Sequence, residues 1–171
     1  PAVLPAKSAS YKQWSERLRA YVTDSLTAET DYWLSDPRTQ TTRVPLDHPD
    51  GENTVDSARR VLVSLSTEET RRLLQDAPVS LHASVPELLL AAFTQTLARW
   101  TGGQSFLIDM EGHGREDLFD EIDLSRTVGW FTSIYPVLLN ATTSDNAVEV
   151  LKAVKSDLRG VPQKGIGHGL L

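Results

Sequence analysis

Apolar positions recur at helical spacing near the start of the chain, where Tyr11, Trp14, Leu18 and Tyr21 fall on one stripe. Ser10 with Gln13 supplies a capping-box pattern ahead of that stripe, so a first helix is expected from about residue 10 to 25. Thr27 is placed to cap a short second helix through Tyr32, Trp33 and Leu34, which Asp36-Pro37 closes because a residue before proline avoids the helical region. Residues 37–56 are polar, hold Pro45, Pro49 and Gly51, and read as a long loop. Arg59 to Leu65 alternates and is rich in valine, which is the pattern of a strand. Ser66 and Glu69 then open a helix that must stop before Pro78. Ser84 and Glu87 open another, with Pro86 tolerated in the first turn, where its missing N–H costs nothing. Leu88 through Trp100 is apolar on nearly every face, so this helix is expected to be central, and Gly102-Gly103 ends it.

Phe106 to Met110 is a strand candidate, with Phe106, Ile108 and Met110 facing opposite to Leu107, Asp109 and Glu111. Thr127 to Leu139 gives another strand region. Asp145 to Arg159 forms the last helix, with Ala147, Leu151, Val154 and Leu158 on one stripe, Ser144 as its cap, and Gly160 and Pro162 as its end. The final Gly165-Ile166-Gly167-His168-Gly169-Leu170-Leu171 reads as an irregular turn entering a strand. Strands alternating with helices imply an α/β layered lobe with helices packed on a mixed sheet. The organisation is a helical region over 1–36, a loop over 37–56 and an α/β core over 57–171, with no internal repeat and no low-complexity segment.

Composition narrows the chemistry. Across 171 residues, 17 Lys+Arg against 23 Asp+Glu leave a net charge of −6, which is the wrong sign for a nucleic-acid-coating protein. With no cysteine, disulfide scaffolds, thiolate zinc sites and Cys nucleophiles are all excluded. No apolar run approaches the roughly 18 to 20 residues of a membrane-spanning helix, and the start lacks the basic and apolar regions of a secretory signal. We therefore expect a cytoplasmic protein without membrane contact, and read the glycosylation pattern Asn140-Ala141-Thr142 as an accident of composition. The chain starts with Pro1 rather than Met, so a piece of a longer polypeptide is expected.

There is no Gly-x-x-x-x-Gly-Lys phosphate loop, and the run from Gly165 to Gly169 has Leu170 where a dinucleotide fingerprint needs a third glycine. His48, His82, His113 and His168 are too scattered for a local metal pair, and neither His-Glu-x-x-His nor Gly-x-Ser-x-Gly occurs. The acidic run Glu116, Asp117, Asp120, Glu121 and Asp123 lacks the alternation and glycine turn of a calcium loop and reads as a solvated face, so no metal is expected. Trp14, Trp33 and Trp100 sit on apolar helical stripes and are assigned to the core, while Trp130 is left open.

What remains is the dense segment from Asp109 to Glu116, followed by Arg126 to Ser133. Gly112 and Gly114 straight after a strand allow a sharp turn and a close approach, which suits a strand-end site with Glu111 at its edge. From the residues alone, Glu111 is either a solvated or ion-paired carboxylate or an acid/base group. His113 is equally a turn histidine, Arg115 a partner for Asp109, Glu116 or another nearby carboxylate, and Gly129 the mark of a bulge.

Three segments in order, Glu111-Gly112-His113-Gly114-Arg115-Glu116, Arg126-Thr127-Val128-Gly129-Trp130-Phe131-Thr132 and Pro162-Gln163-Lys164-Gly165-Ile166-Gly167-His168-Gly169, resemble consecutive motifs of epimerization domains in nonribosomal peptide synthetases. Ser10-Tyr11-Lys12-Gln13-Trp14 and Tyr32-Trp33-Leu34 resemble the lobe-joining region of the same family, and the resemblance covers nearly the whole chain. His168 stands where the family usually has tyrosine. The His-His-x-x-x-Asp-Gly motif of the family's N-terminal lobe is absent, since no two histidines are adjacent.

The resemblance implies a condensation-superfamily fold similar to half of chloramphenicol acetyltransferase, here the start and middle of a C-terminal lobe. It also implies removal and return of the α-proton of an aminoacyl or peptidyl thioester. That substrate is delivered on the phosphopantetheine arm of a peptidyl carrier protein, with no cofactor bound directly. In the family one acid/base group is a histidine of the absent motif and the other matches Glu111. Gly112, His113, Gly114 and Arg115 are then assigned to shaping the turn, and Gly129, Trp130, Gly165, Gly167 and His168 to the later motifs. The remainder of both lobes is the expected partner, and the isolated chain is expected to be inactive. Two other readings stay open: an amide-forming condensation lobe, whose wording the Glu-Gly-His-Gly-Arg-Glu and Val-Gly-Trp-Phe-Thr segments oppose, and a catalytically dead lobe that docks a carrier protein.

Overall fold

The computed structural model describes residues 6–24, 27–144 and 146–171. The local helix signals are realised almost residue for residue. Helix α1 (Tyr11–Asp24) opens with Ser10 N–H donating to Gln13 Oε1 at 2.7 Å while Ser10 Oγ accepts from Gln13 N–H at 3.2 Å. Helix α2 (Thr27–Trp33) starts on Thr27 itself, and the residue that would cap it lies outside the described residues. A 3-10 turn at Asp36–Arg38 follows it.

Helix α3 (Thr67–Arg71) and helix α5 (Val85–Thr101) each carry a complete capping box, Ser66 with Glu69 and Ser84 with Glu87. Gly102 ends α5 in the left-handed conformation at φ 71°, its N–H on Ala98 O at 2.8 Å. Helix α6 spans Ala147–Arg159. Asn146, rather than Ser144, caps it by accepting from Val148 N–H at 2.9 Å, and Ser144 Oγ supports Asn146 N–H at 3.1 Å. Asp145, expected to begin this helix, lies outside the described residues.

Four expected segments form differently, each for a stated reason. The helix from Thr67 does not stop before Pro78. A π-helical turn (Arg72–Asp76), with Ala77 N–H bonded back to Arg72 O, passes into α4 (Ala77–Leu81), which contains Pro78. The wider turn interrupts the ordinary ladder just where proline has no N–H to give and its ring needs room. Arg59 to Leu65 is not a strand: Val61, Leu62 and Val63 are exposed on both faces, and no partner strand among the described residues accepts the segment. Thr127 to Thr132 is irregular, and the strand starts at Ser133, because side-chain donors occupy the carbonyls of Thr127 and Trp130. The last residues form 3-10 turns (Pro162–Gly165 and His168–Leu170) in place of a strand, with Leu170 N–H returning to Gly167 O at 3.0 Å.

The α/β architecture stands. Its sheet, among the described residues, is the antiparallel pair β1 (Ser105–Gly112) and β2 (Ser133–Asn140) rather than a wider mixed sheet. Ala141 N–H on Gln104 O, the Ser105 to Asn140 side-chain contact and the closeness of Gly112 to Ser133 fix the register. The face carrying Phe106, Val137 and Leu139 is buried, whereas Leu107, Glu111 and Ile134 lie on the open face.

Contacts divide the chain into two units. One holds residues up to Thr41, Leu107–Leu139 and Ser156–Leu171. Its core is Trp14, Phe119, Leu124 and Ile166, closed by Leu18, Tyr21 and Phe131. Trp14 meets Phe119 edge-on at 5.4 Å, and Arg17 lies over the Phe119 ring at 4.5 Å. In the same unit the buried Glu29 accepts from Tyr21 Oη at 2.8 Å and Trp33 Nε1 at 3.1 Å, and burial with this acceptor pushes the Tyr21 hydroxyl up to about 12. The other unit holds Thr42–Phe106 and Asn140–Lys155. There Gln95 Nε2 donates to Ser144 O at 2.9 Å, and Lys155 Nζ donates to His82 O. Helix α5 buries Leu90, Ala91, Thr94 and Leu97 but leaves Leu89, Phe93 and Trp100 exposed. It is therefore covered on one stripe only, and Trp100 is a surface residue, contrary to its core assignment.

Candidate functional site

Strand β1 delivers Glu111 to its penultimate position with the carboxylate exposed, and the chain then turns through Gly112, His113 and Gly114. Gly114 has φ 66°, and a Cβ there would lie 1.6 Å from Phe131 O, so both conformation and space require glycine. His113 Nδ1 accepts from Arg115 N–H at 3.0 Å. That bond leaves the ring proton on Nε2, which stands 3.4 Å from Glu116 Oε1.

Among the described residues Arg115 pairs with no carboxylate, the partner that the sequence alone suggested. Its two Nη groups donate to Leu124 O and Thr127 O, each at 2.8 Å, and its guanidinium lies 3.9 Å from the centre of the Phe131 ring. A planar five-donor group is suited to reach two backbone carbonyls while stacking on an aromatic face. The guanidinium thus joins the turn after β1 to the segment that carries Gly129 and Trp130.

That segment is held from its other side by α1. Tyr11 Oη donates to Trp130 O at 2.9 Å, and the Tyr11 and Phe131 rings meet edge-on at 5.0 Å. A Cβ on Gly129 would come 2.5 Å from the Tyr11 ring, so glycine is needed there for close approach, at a bend rather than at the expected bulge. Glu111, Gly112, His113, Arg115, Gly129 and Trp130 border one shallow cavity of about 390 Å³, completed by Phe131 and Thr132. Trp130, left open by the sequence, is 79% exposed at its rim.

Gly165, Gly167 and His168 do not border this cavity; they belong to the turns after α6. Gln163 and Lys164 there are consecutive non-glycine residues with φ 43° and 51°, followed by Gly165 at φ 83° packed on Tyr135. Lys164 Nζ bonds Glu116 Oε2 at 2.7 Å, which ties this turn to the one after β1. The Glu116 carboxylate raises the Lys164 ammonium above its usual range. Burial, and then the same carboxylate, raise the Tyr135 hydroxyl. His168 meets Trp33 edge-on at 5.0 Å.

Tyr11, Phe131 and the Glu116–Lys164 pair were not singled out as site residues from sequence. The pair had a readable signal, opposite charges in two neighbouring motifs. Tyr11 lies in a segment resembling the family's lobe-joining region, but nothing local points to its contact, which lies 119 positions away along the chain. Among the described residues no group of histidines and carboxylates is arranged to hold a metal ion.

The condensation-domain family model matches residues 1–171, and the chain belongs to that family. It is 47% identical over 169 residues to one of the linear gramicidin synthase proteins of Brevibacillus parabrevis, covering 98% of this chain and 2% of the relative. It is 38% identical to surfactin synthase subunit 2 of Bacillus subtilis, covering 99% of this chain and 5% of that one. The epimerization domain from the third module of tyrocidine synthetase B superposes with a TM-score of 0.78 at 34% identity, over 99% of this chain and 39% of that one. The first condensation domain of the calcium-dependent antibiotic synthetase, solved with a substrate analogue, gives a TM-score of 0.67 at 18% identity over 95% of this chain and 35% of that chain, a likeness of fold. The chain therefore spans a small fraction of its relatives and about two fifths of the epimerization domain it resembles.

Proposed function

We propose that this chain supplies one of two acid/base groups of a domain that epimerises the α-carbon of an aminoacyl or peptidyl thioester in nonribosomal peptide synthesis. The substrate is carried on the phosphopantetheine arm of a peptidyl carrier protein. The observation that carries this reading is the exposed Glu111 carboxylate at the end of β1, above a turn that Gly114 and Arg115 hold in one shape. Similarity to an epimerization domain at 34% identity favours it over condensation, for which the structural likeness is one of fold.

The chemistry asks little of the protein beyond placement. The thioester carbonyl acidifies the adjacent C–H bond. When that bond breaks, the proton passes to one side chain and the electron pair moves to the carbonyl oxygen as an enolate. A second group returns a proton to the opposite face, so the net reaction is inversion with no redox change. Glu111 is one of the two groups. By resemblance, the other is an imidazole of the His-His-x-x-x-Asp-Gly motif, which these residues do not contain.

In a complete domain, Glu111→Gln keeps the shape and hydrogen bonding of the side chain but removes the titratable group. Exchange of the α-hydrogen in deuterated water should slow by about 10² to 10⁴. The chain alone should exchange no faster than a protein-free control. A Gln variant that exchanged at the parental rate would reduce Glu111 to a surface carboxylate. A complete domain that formed amide bonds without α-exchange would replace this reading by condensation.

A further inference from the structure

Register places Glu111 directly across from Ile134 on the open face of the β1–β2 pair, since Gly112 meets Ser133 one step further along. Side chains opposed in this way have Cβ atoms about 4.5–5.5 Å apart. Ile134 borders a second cavity of about 400 Å³, within the same unit, whose other walls include Trp14 and Leu18 of α1 together with Ile166 and Leu170. Trp130, Phe131 and Thr132 border both this cavity and the one at Glu111. The mouth of this cavity, where Ile134 stands, thus lies within about one side-chain length of the carboxylate.

The walls are built in advance of any ligand. Trp14 is 3% exposed and locked against Phe119, and the Tyr11 hydroxyl holds the Trp130 carbonyl. The volume falls in the range of about 300–1,000 Å³ common to small-molecule sites, and the lining combines apolar side chains with the hydroxyls of Ser15, Thr132 and Ser133 and with Arg19. We propose that this cavity receives the side chain of the aminoacyl group while Glu111 reaches its α-carbon, and that it favours branched aliphatic or aromatic side chains. The inference rests on the acid/base reading of Glu111. It goes beyond that reading in naming what selects the substrate.

The test uses a complete domain and carrier protein loaded in turn with alanyl, leucyl and phenylalanyl groups. Ile134 is 62% exposed, so Ile134→Trp adds bulk at the mouth without overpacking the core. This variant should lower kcat/KM for α-exchange of the leucyl and phenylalanyl substrates at least tenfold relative to the alanyl one. Leu18→Ala, which enlarges the cavity, should shift the ratio toward phenylalanyl. Equal changes across the three substrates in both variants would overturn the proposal, because the cavity would then hold something common to all of them, such as the pantetheine arm. Glu111→Gln measured in parallel separates the two failures. If it slows all three substrates while neither cavity variant discriminates, the cavity proposal alone falls; if it slows none, the acid/base reading falls and this proposal with it.

Discussion

The stretches 113–132 and 42–66 are similar in length and neither contains a helix or strand, yet they are held in opposite ways. In the first, side chains reach the backbone: Arg115 takes Leu124 O and Thr127 O, Tyr11 takes Trp130 O, and Phe119 and Leu124 are buried. In the second, the hydrogen bonds are mostly turns spanning three residues, such as Gly51 to His48 and Ser57 to Thr54, while Val55, Val61, Leu62 and Val63 are 81% to 94% exposed. Irregular backbone becomes a fixed scaffold where donors come to its carbonyls and aromatic rings fill beneath it. A valine-rich run with no partner stays open, whatever its intrinsic preference for strand.

Four substitutions break or sharpen this contrast. Gly114→Ala should be the most damaging, because it forces both a left-handed non-glycine residue and a collision with Phe131 O. A loss of about 3 kcal/mol or more is expected in denaturant unfolding. A loss below 1 kcal/mol, on the order of an ordinary surface change, would mean that the loop relaxes freely and is no scaffold. Arg115→Met keeps much of the length but leaves two carbonyls of buried residues without their donor, so a loss of about 2 kcal/mol is expected. Amide exchange over 124–131 should accelerate with it; unchanged exchange would show that water replaces the guanidinium. At the small end, Val61→Thr and Val63→Thr should each alter stability by no more than about 0.5 kcal/mol. A larger loss in either would show that the 59–65 segment is packed in solution.

What could be read in advance follows the same division between local and distant causes. The three capping boxes, at Ser10, Ser66 and Ser84, formed because cap and partner lie three residues apart and need nothing else. The strand expected at 59–65 required a neighbour that no local pattern specifies. Pro78 was read as a stop by a sound rule, and a single widened turn ahead of it was enough to overrule that rule. At the site, the motif resemblance selected Glu111, Gly129 and Trp130, and the fold gathers them around one cavity. Arg115, assigned by resemblance to shaping the turn, does so through acceptors that local sequence could not name: carbonyls 9 and 12 residues on, where the nearest options in sequence were carboxylates.

The clamp between Tyr11 and Trp130 has a kinetic meaning. Its partners are 119 residues apart, as are Ser8 and Thr127, which also share a hydrogen bond. Helices α3 and α5, by contrast, take their caps from residues three positions away. Closing so long a loop carries an entropic penalty that precedes any reward from the contacts it allows. The cavity at Glu111 is therefore expected to assemble late in folding, after two distant stretches of chain have met, so that its geometry would report on completion of the whole unit rather than of its own segment.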